Sequence, residues 1–545
     1  MHTQSDRHNR NPFDFQIPFE LSIGVTGQRT LGDEPLIRVS IQSVLRRMDE
    51  ILKYTPHTFI AVTSLTEGSD RLLADEVLNW AEIGTAKVTG LEIVLPVSAD
   101  DYIEECATHE SKQECVRFVN RAQKITVISS KKTREEECFE IGQSIVQSCD
   151  VLVAIWDGKP SLSPGGTSEM VKYARMVGRT LFWIHRETGK IIEERHGDGI
   201  LESLEYFNSF NGESVREEPL RNRCTYRYGR LAEIAQVWRL NPDVLLPLKT
   251  SLLPHFVRVQ MLKEQYERRY MWAGSAVYAL AAAAVATVTI QTLFFPLYPS
   301  ILWMEVIEIA LILGLIMASR LGDWHRKWID YRFMAERLRT AMFLSIFCVA
   351  VERPALPPHL SLSHPPNDWL NRCFDEILKK RPLEYCILDL PFEQLKQFLL
   401  SAWIDEQISY YTKSSTWNAR RFMLLSEMTD ILFALTLVMA TIHALGLEHN
   451  YAFLSENLSG IFAACTIILP AIGGALGAIR IKREYLRNSE RYAHMVRHLS
   501  VIGNQIKRAP DMARLIHVLR EANEVTLREQ QDWRVVFRFR DLETP

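Results

Sequence analysis

The stretch Asp150-Val-Leu-Val-Ala-Ile-Trp-Asp157-Gly158-Lys-Pro-Ser-Leu-Ser-Pro164-Gly165-Gly166-Thr167-Ser168-Glu169 decides the fold of the first half of this chain. Val151 to Trp156 is an apolar run without alternation, the pattern of a parallel strand buried on both faces. Asp157-Gly158 ends the run. After a loop, Gly165-Gly166-Thr167 opens a helix expected through Met170 to Arg175. A strand, a glycine-rich turn and a helix N-terminus in this order favour phosphate. Free backbone N–H groups and the positive end of the helix dipole meet there.

On the N-terminal side the same alternation repeats. Strands are expected at Phe19–Val25, Thr58–Val62, Leu91–Leu95 and Lys124–Ile128, with helices at Ile37–Leu52, Leu72–Trp80, Glu110–Ala122 and Glu135–Ser148. Thr180–Ile184 follows as a sixth strand. Strands alternating with helices imply a doubly wound parallel sheet, an α/β Rossmann-like domain. Ligands of such sheets bind outside the carboxyl ends of the strands. Three glycine-bearing turns fall at such ends: Gly24 to Arg29, Ser64 to Arg71, and Asp157 to Glu169.

The totals narrow the function. At 545 residues more than one domain is expected, and a net charge of −3 argues against a nucleic-acid binder driven by bulk charge. The nine cysteines form no CxxC pair and no metal-like spacing, so free thiols in a reducing compartment are expected, with no metal site. The first residues, MHTQSDRHNRNPFDF, lack the apolar segment of a signal peptide, which is expected to leave the first half in the cytoplasm.

Gly24-Val-Thr-Gly27-Gln-Arg29, Glu67-Gly-Ser-Asp70-Arg71 and Gly165-Gly-Thr-Ser-Glu169 together resemble the SLOG superfamily, which groups LOG-type phosphoribohydrolases, DprA-like proteins and nucleotide-sensing domains. The resemblance covers residues 19–190 and implies a nucleotide-type ligand, ADP-ribose-like or a cyclic nucleotide, with no other cofactor. The implied contacts are Gly24, Thr26, Gly27, Arg29, Ser64, Glu67, Gly68, Ser69, Asp70, Arg71, Asp157, Gly158, Gly165, Gly166, Thr167 and Glu169. Gly27, Gly68, Gly165 and Gly166 would let the backbone approach closely. Thr26, Ser69 and Thr167 would donate hydroxyl bonds. Arg29 and Arg71 would hold phosphate. Asp70, Asp157 and Glu169 would accept from ribose hydroxyls. Two blander roles stand beside these: Asp70 as a helix cap and Arg71 as cover for the sheet edge. In LOG-type hydrolases the glutamate of PGGxGTxxE helps to cleave an N-glycosidic bond. Here Pro164-Gly-Gly-Thr-Ser-Glu169 is shorter and no companion arginine motif is found. Binding without turnover is therefore expected, with Glu169 as the catalyst only in an alternative reading.

Residues 191–254 read as an elaboration and a linker, polar from Asn208 to Arg223 and punctuated by Pro242, Pro247 and Pro254. A charged helix, His255 to Tyr270, leads into Ala273–Phe295, long enough to cross a bilayer, which takes about 20 residues. Ile301–Ala318 returns after a turn at Pro296–Pro299. A second pair, Ile431–Leu447 and Ser459–Ile479, lies further on. Lys and Arg crowd one end of every span and are missing from both inter-span loops. Positive-inside logic then places both termini in the cytoplasm, in a multi-pass protein of the inner membrane. The hairpins read as a repeat, in segments 255–348 and 401–545, separated by a Pro-rich linker and helices at 349–400. The tail from Trp533 to Arg540 has the composition of a terminal strand.

Tyr331-to-Leu338 and Trp403-Ile-Asp-Glu-Gln407 resemble the SLATT family, two-span hairpins found beside nucleotide-sensing domains in bacterial conflict systems. The resemblance implies a membrane effector, as a pore or a disruptor, in a homo-oligomer. Glu305 and Glu308, one helical turn apart, are the pore candidates. Gly473-Gly-Ala-Leu-Gly477 is a close-packing motif. The whole then reads as a cytoplasmic nucleotide sensor on a bilayer-embedded effector, with a membrane-anchored N-glycosidase and a passive scaffold as rivals.

Overall fold

A computed structural model of the chain describes residues 15–86, 88–128, 134–160, 165–195, 199–241, 245–346, 369–380, 391–445 and 455–537. Pro164, Pro242, the Pro-rich linker, Cys348, Cys386 and the inter-span loop from 446 to 454 lie outside them. The chain divides into two compact units, 1–214 with 355–380, and 215–354 with 381–545.

The first unit is built on a seven-stranded sheet. Its strands are β1 (Phe19–Gly27), β2 (His57–Thr63), β3 (Val88–Leu95), β4 (Lys124–Val127), β5 (Val151–Trp156), β6 (Thr180–His185) and β7 (Ile191–Glu194). They run in the order β4-β3-β2-β1-β5-β6-β7. All neighbours are parallel except β6 and β7. In β5 every residue from Val151 to Ile155 is buried, as the unalternating run implies. The helices are α1 (Glu34–Ile51), α2 (Ser69–Ile83), α3 (Ala99–Glu104), α4 (His109–Arg121), α5 (Arg134–Ser148), α6 (Thr167–Met176) and α7 (Ile200–Gly212). Asp33 and Thr108 cap α1 and α4, accepting the N–H groups of Leu36 and Ser111. Right-handed crossovers put α1 and α2, which touch, on one face and α5 and α6, which also touch, on the other. The sheet is doubly wound.

The second unit begins with α8 (Glu217–Val237), α9 (Leu246–Thr250) and α10 (Leu252–Phe294), then a 3-10 turn (Pro299–Ile301), α11 (Leu302–Leu321) and α12 (Trp324–Ser345). The segment expected as an elaboration and linker is therefore helical in large part: the polar stretch from Asn208 to Arg223 is shared between the end of α7 and the start of α8. Helix α8 buries only Leu220, Cys224 and Ala235, too few to leave an apolar stripe in the sequence. The chain next returns to the first unit as α13 (Trp369–Lys379). There Arg372 pairs with Asp150, whose other oxygen accepts the Ser22 N–H at 3.0 Å, and the Trp369 ring packs tilted against Phe210 with centroids 5.5 Å apart. A segment expected to belong with the linker helices thus completes the sheet unit.

The rest is α14 (Phe392–Leu399), a π-helical segment (Leu400–Asp405), α15 (Glu406–Ala444), α16 (Ser455–Lys482), α17 (Tyr485–Arg508) and α18 (Met512–Phe537). Through Phe537 the tail is helix, not the expected strand.

Four helical stretches, Leu252–Phe294, Pro299–Leu321, Phe392–Ala444 and Leu458–Arg508, are long and apolar enough to cross a membrane, with mean hydropathy of 1.7 to 2.3 over 18 residues. At most 22% of each apolar window is buried in protein, so these side chains need lipid rather than a protein core. This is the pattern of a multi-pass membrane protein. The charged helix and the first span are one helix, α10. Its 43 residues make it about 65 Å long, roughly twice a bilayer's hydrocarbon core.

The two hairpins repeat in three dimensions. Each second span breaks at an acidic residue in the left-handed region, Asp323 (φ 51°) before α12 and Glu484 (φ 48°) before α17. Each acid pairs with an arginine three residues on, Asp323 with Arg326 at 2.7 Å and Glu484 with Arg487 at 3.7 Å. In each repeat a tyrosine before the first span meets one after the second: Tyr266 with Tyr331 at 5.7 Å, and Tyr411 with Tyr492 at 5.5 Å. Of the close-packing motif, Gly473 faces Phe433 of α15, whereas Gly477 meets open space.

Gly68 has φ +89°, and an added Cβ would lie 2.1 Å from the Arg29 carbonyl oxygen. Gly68→Ala is expected to cost about 1–3 kcal/mol through overpacking and backbone strain. Gly229, in the interior of α8 with nothing within 4 Å of its Cβ position, should instead gain up to about 1 kcal/mol as Ala. Thermal unfolding of the full chain checks both; a neutral Gly68→Ala would contradict the geometry.

Candidate ligand-binding site

The sheet's winding reverses between β1 and β5. From β1 the chain proceeds to β2 on one side; from β5 it proceeds to β6 on the other. Connections leave in opposite directions at such a switch point, which is where open α/β sheets as a class bind their ligands. The three glycine-bearing turns follow β2, β1 and β5, which are neighbours in the sheet. The structure therefore brings them to one edge.

Many of the expected contacts are already occupied by protein. Gly24 is closed in by α5: a Cβ there would lie 2.7 Å from the Cys149 sulfur. Gly27 and Gly68 admit the neighbouring turn. A Cβ on Gly27 would sit 2.3 Å from Ser69 Oγ. Ser69 is buried, and its hydroxyl donates to the Gln28 carbonyl at 2.8 Å. Asp70 is buried too and accepts the Ser64 hydroxyl at 2.6 Å. Burial pushes its carboxyl up to about 6, against hydrogen bonds from Thr63, Ser64 and Thr66. Asp70 therefore staples the β2 turn.

Arg71 is likewise spent. Its guanidinium donates to the Leu65 carbonyl at 3.0 Å, to Ser111 Oγ at 2.9 Å and to Glu114 at 2.9 Å, and reaches the Cys115 sulfur at 3.1 Å. It ties the β2 turn to α4. Glu67 accepts the Ser111 hydroxyl in the same cluster. Burial raises the Cys115 thiol to about 12 and keeps it unreactive. Beside this cluster a cleft of about 680 Å³ opens among α1, α2 and α4. Its arginines are taken: Arg38 binds Asp75 at 3.0 Å and Arg117 binds Asp75 at 3.1 Å. With Glu34, Glu67, Glu110 and Glu114 also on its wall, that cleft suits an anion poorly.

Around the switch point some groups are spent and others are not. Arg29 is exposed and makes no ion pair with the described residues. Thr26 is half-buried at the end of β1. Asp157 turns back on Lys159, whose N–H donates at 3.0 Å and holds the carboxyl below the usual range. Gly158, with φ +83°, lies 3.4 Å from the Trp183 ring at its Cβ position. Gly166 is the N-cap of α6 and gives no side chain to the cap; the Glu169 N–H donates to the Gly166 carbonyl at 2.9 Å. Thr167 is buried. Glu169 is engaged: its carboxylate accepts the Gly165 N–H at 2.6 Å, closing the turn from inside.

Three groups went unread in the sequence. Gln28 joins Asp157 through its side chain and has a buried, unpartnered Oε1. Arg186 donates to the Thr30 carbonyl at 3.4 Å and has a buried Nε without a partner. Trp156 and Trp183 present rings 5.6 Å apart, an apolar surface of the kind a base stacks on. The Gln28 side chain follows the glycine of its own motif and is the one a pattern could have flagged.

The pore candidates Glu305 and Glu308 both lie on α11. Glu308 accepts the Thr287 hydroxyl of α10 at 3.3 Å, and its second oxygen is buried and unpartnered. It faces its own hairpin. Glu305 is half-buried one turn earlier, while Trp303, Met304 and Ile307 of the same helix are exposed.

For Asp70 the folded-state pKa lies above the ordinary value of 3.8. The folded state then binds its proton more tightly, and the associated stability is present below pH about 4 and lost as pH rises through about 6. Asp70→Asn should remove a pH-dependent loss on the order of 3 kcal/mol. The difference in thermal midpoint between the wild-type chain and Asp70→Asn is expected to change steadily from pH 4 to 7, in favour of the variant. A difference independent of pH would show that Asp70 is ionised throughout.

A scan against protein-family models finds no match to this chain. A search of the curated proteins finds none either.

Proposed function

We propose that the first unit is a SLOG-type sensor of a nucleotide derivative and that the second is a tandem SLATT-type effector acting on the bilayer. The observation that carries this reading is the switch point between β1 and β5: Thr26 lies at the end of β1, Arg29 follows it, α6 begins after the neighbouring β5, and the same chain has four bilayer-length helices. An exposed arginine after β1 and a helix N-terminus after β5 suit a phosphate, and the Trp156–Trp183 pair suits a base. The ligand would be ADP-ribose-like or a cyclic nucleotide. The protein would reside in the inner membrane with both termini in the cytoplasm, as a homo-oligomer that binds no nucleic acid. Its setting would be bacterial defence, in which an infection signal leads to pore formation or membrane disruption. Such a switch works only if the ligand binds the open state more tightly than the closed one.

The N-glycosidase alternative needs Glu169 as a free acid or base. The bond from the Gly165 N–H engages it in closing its own turn. The sensor reading therefore stands ahead.

Purified full-length protein in liposomes should release a trapped dye when given the right member of a panel of NAD-derived and cyclic nucleotides. Arg29→Ala, by removing a charge-assisted bond, should weaken binding by about tenfold or more. Gly166→Asp, which sets a negative charge at the helix N-terminus, should do the same. Failure of every panel member to bind or cause leakage would end the sensor reading. Release of free base from nucleoside monophosphates would favour the hydrolase.

A further inference from the structure

A second cavity lies wholly in the membrane unit, at the basic ends of the spans. It has a volume of about 1620 Å³ and is walled by α10, α12, α15, α16 and α17. Small-molecule sites usually occupy roughly 300–1,000 Å³, so this one can admit a larger amphiphile.

Its charge is one-sided. Arg268, Arg269, Arg332, Lys413, Lys482 and Arg483 line it. The acids on its wall, Glu267 and Glu484, are paired with cations outside that set: Glu267 with Lys263 at 3.2 Å and Glu484 with Arg487 at 3.7 Å. Arg268, Arg269 and Lys413 are exposed and make no ion pair with the described residues. Arg483 reaches across to the other hairpin, donating to the Met271 carbonyl and to Ser275 Oγ, both at 3.0 Å. It thereby fixes the wall between the repeats.

The rim is aromatic and apolar. Trp272 is 63% exposed, Trp417 50%, Tyr410 51% and Ile481 70%, all beside the cations. Tryptophan and tyrosine next to lysine and arginine at the end of a span mark the headgroup level of a bilayer. Beyond the exposed carboxylates Glu427 and Asp430, Ile431, Leu435 and Val438 on α15 expose apolar surface at the level of the acyl chains.

We propose that this cavity binds an anionic phospholipid, with the phosphate of its headgroup among the cations and its acyl chains along the outer face of α15. Basic pockets between membrane helices recognise anionic headgroups in this way. The site is duplicated in plan, each hairpin giving it a first-span helix and a post-span helix, so one lipid can bridge the repeats. The inference needs the four spans to lie in a bilayer; it does not need the nucleotide reading.

The test uses the full chain in an uncharged detergent, given equal amounts of phosphatidylglycerol and phosphatidylcholine with matched acyl chains. Native mass spectrometry reads the lipid retained. The wild type is expected to favour phosphatidylglycerol by at least about tenfold. The triple variant Arg268→Gln/Arg269→Gln/Lys413→Gln should lose that preference while keeping its lipid-free thermal midpoint. If the triple variant does not fold, Lys413→Gln alone should reduce the preference several-fold. Equal retention of the two lipids by the wild type would overturn the proposal, as would an unchanged preference in a folded variant. Displacement of the lipid by millimolar inorganic phosphate would also overturn it, because the cavity would then be a site for a free anion. None of these outcomes alters the leakage response to nucleotides, so the two readings fail separately.

Discussion

Every buried N–H and C=O must find a partner, and the form of both units follows from that obligation. In the first unit the demand falls on β5. Its residues from Val151 to Ile155 are buried, and it is hydrogen-bonded to β1 on one side and β6 on the other. A strand so placed cannot lie at an edge, and the winding must reverse beside it. In the membrane unit there is no water at all at bilayer depth, so each span must be an unbroken helix. The breaks come only after the apolar stretch has ended, at Asp323 and Glu484. Among buried side chains Asp49 meets the same demand in full. It accepts from His57, Trp80 and the Thr85 N–H at 2.6, 3.0 and 2.9 Å.

How much could be read in advance depended on whether a pattern was local. The β5 run and the four spans are local, continuous and apolar, and they were legible. β7 was not: Ile191-Ile-Glu-Glu194 is short, and its strand character comes from pairing with β6 and from Arg175 holding Glu194 at 2.6 Å. Helix α8 hid because it buries so few side chains. The return of α13 to the sheet unit rests on Arg372 meeting Asp150, 222 residues away in sequence. No window of sequence contains that pair.

The adjacency of the three turns was legible in the sequence, and the partners of their side chains much less so. Turns after β1, β2 and β5 were found because glycine marks them. Whether an arginine meets phosphate or protein depends on what stands opposite. For Arg71 that is Ser111 and Glu114, about 40 residues on; for Arg29 it is solvent. The glycines carry the same ambiguity. Gly27 and Gly68 are small so that two turns can touch, a requirement of packing that a ligand motif also satisfies. The groups that remain for a ligand are fewer, and they lie toward the β5 side of the edge.

Helix α10 has a mechanical consequence. A helix with no break has no built-in hinge at the membrane surface, so it can act as a lever. Over its length of about 65 Å, a tilt of about 5° carries one end about 6 Å relative to the other. Motion at Leu252 must therefore reappear, reversed in direction if the fulcrum is the aromatic belt near Trp272, at Phe294 on the far side of the bilayer. The second hairpin has a counterpart in α15, but the π-helical segment from Leu400 to Asp405 precedes it and offers a softer joint. The repeats thus provide one stiff arm and one compliant arm, an asymmetry that a pair of identical subunits would not have.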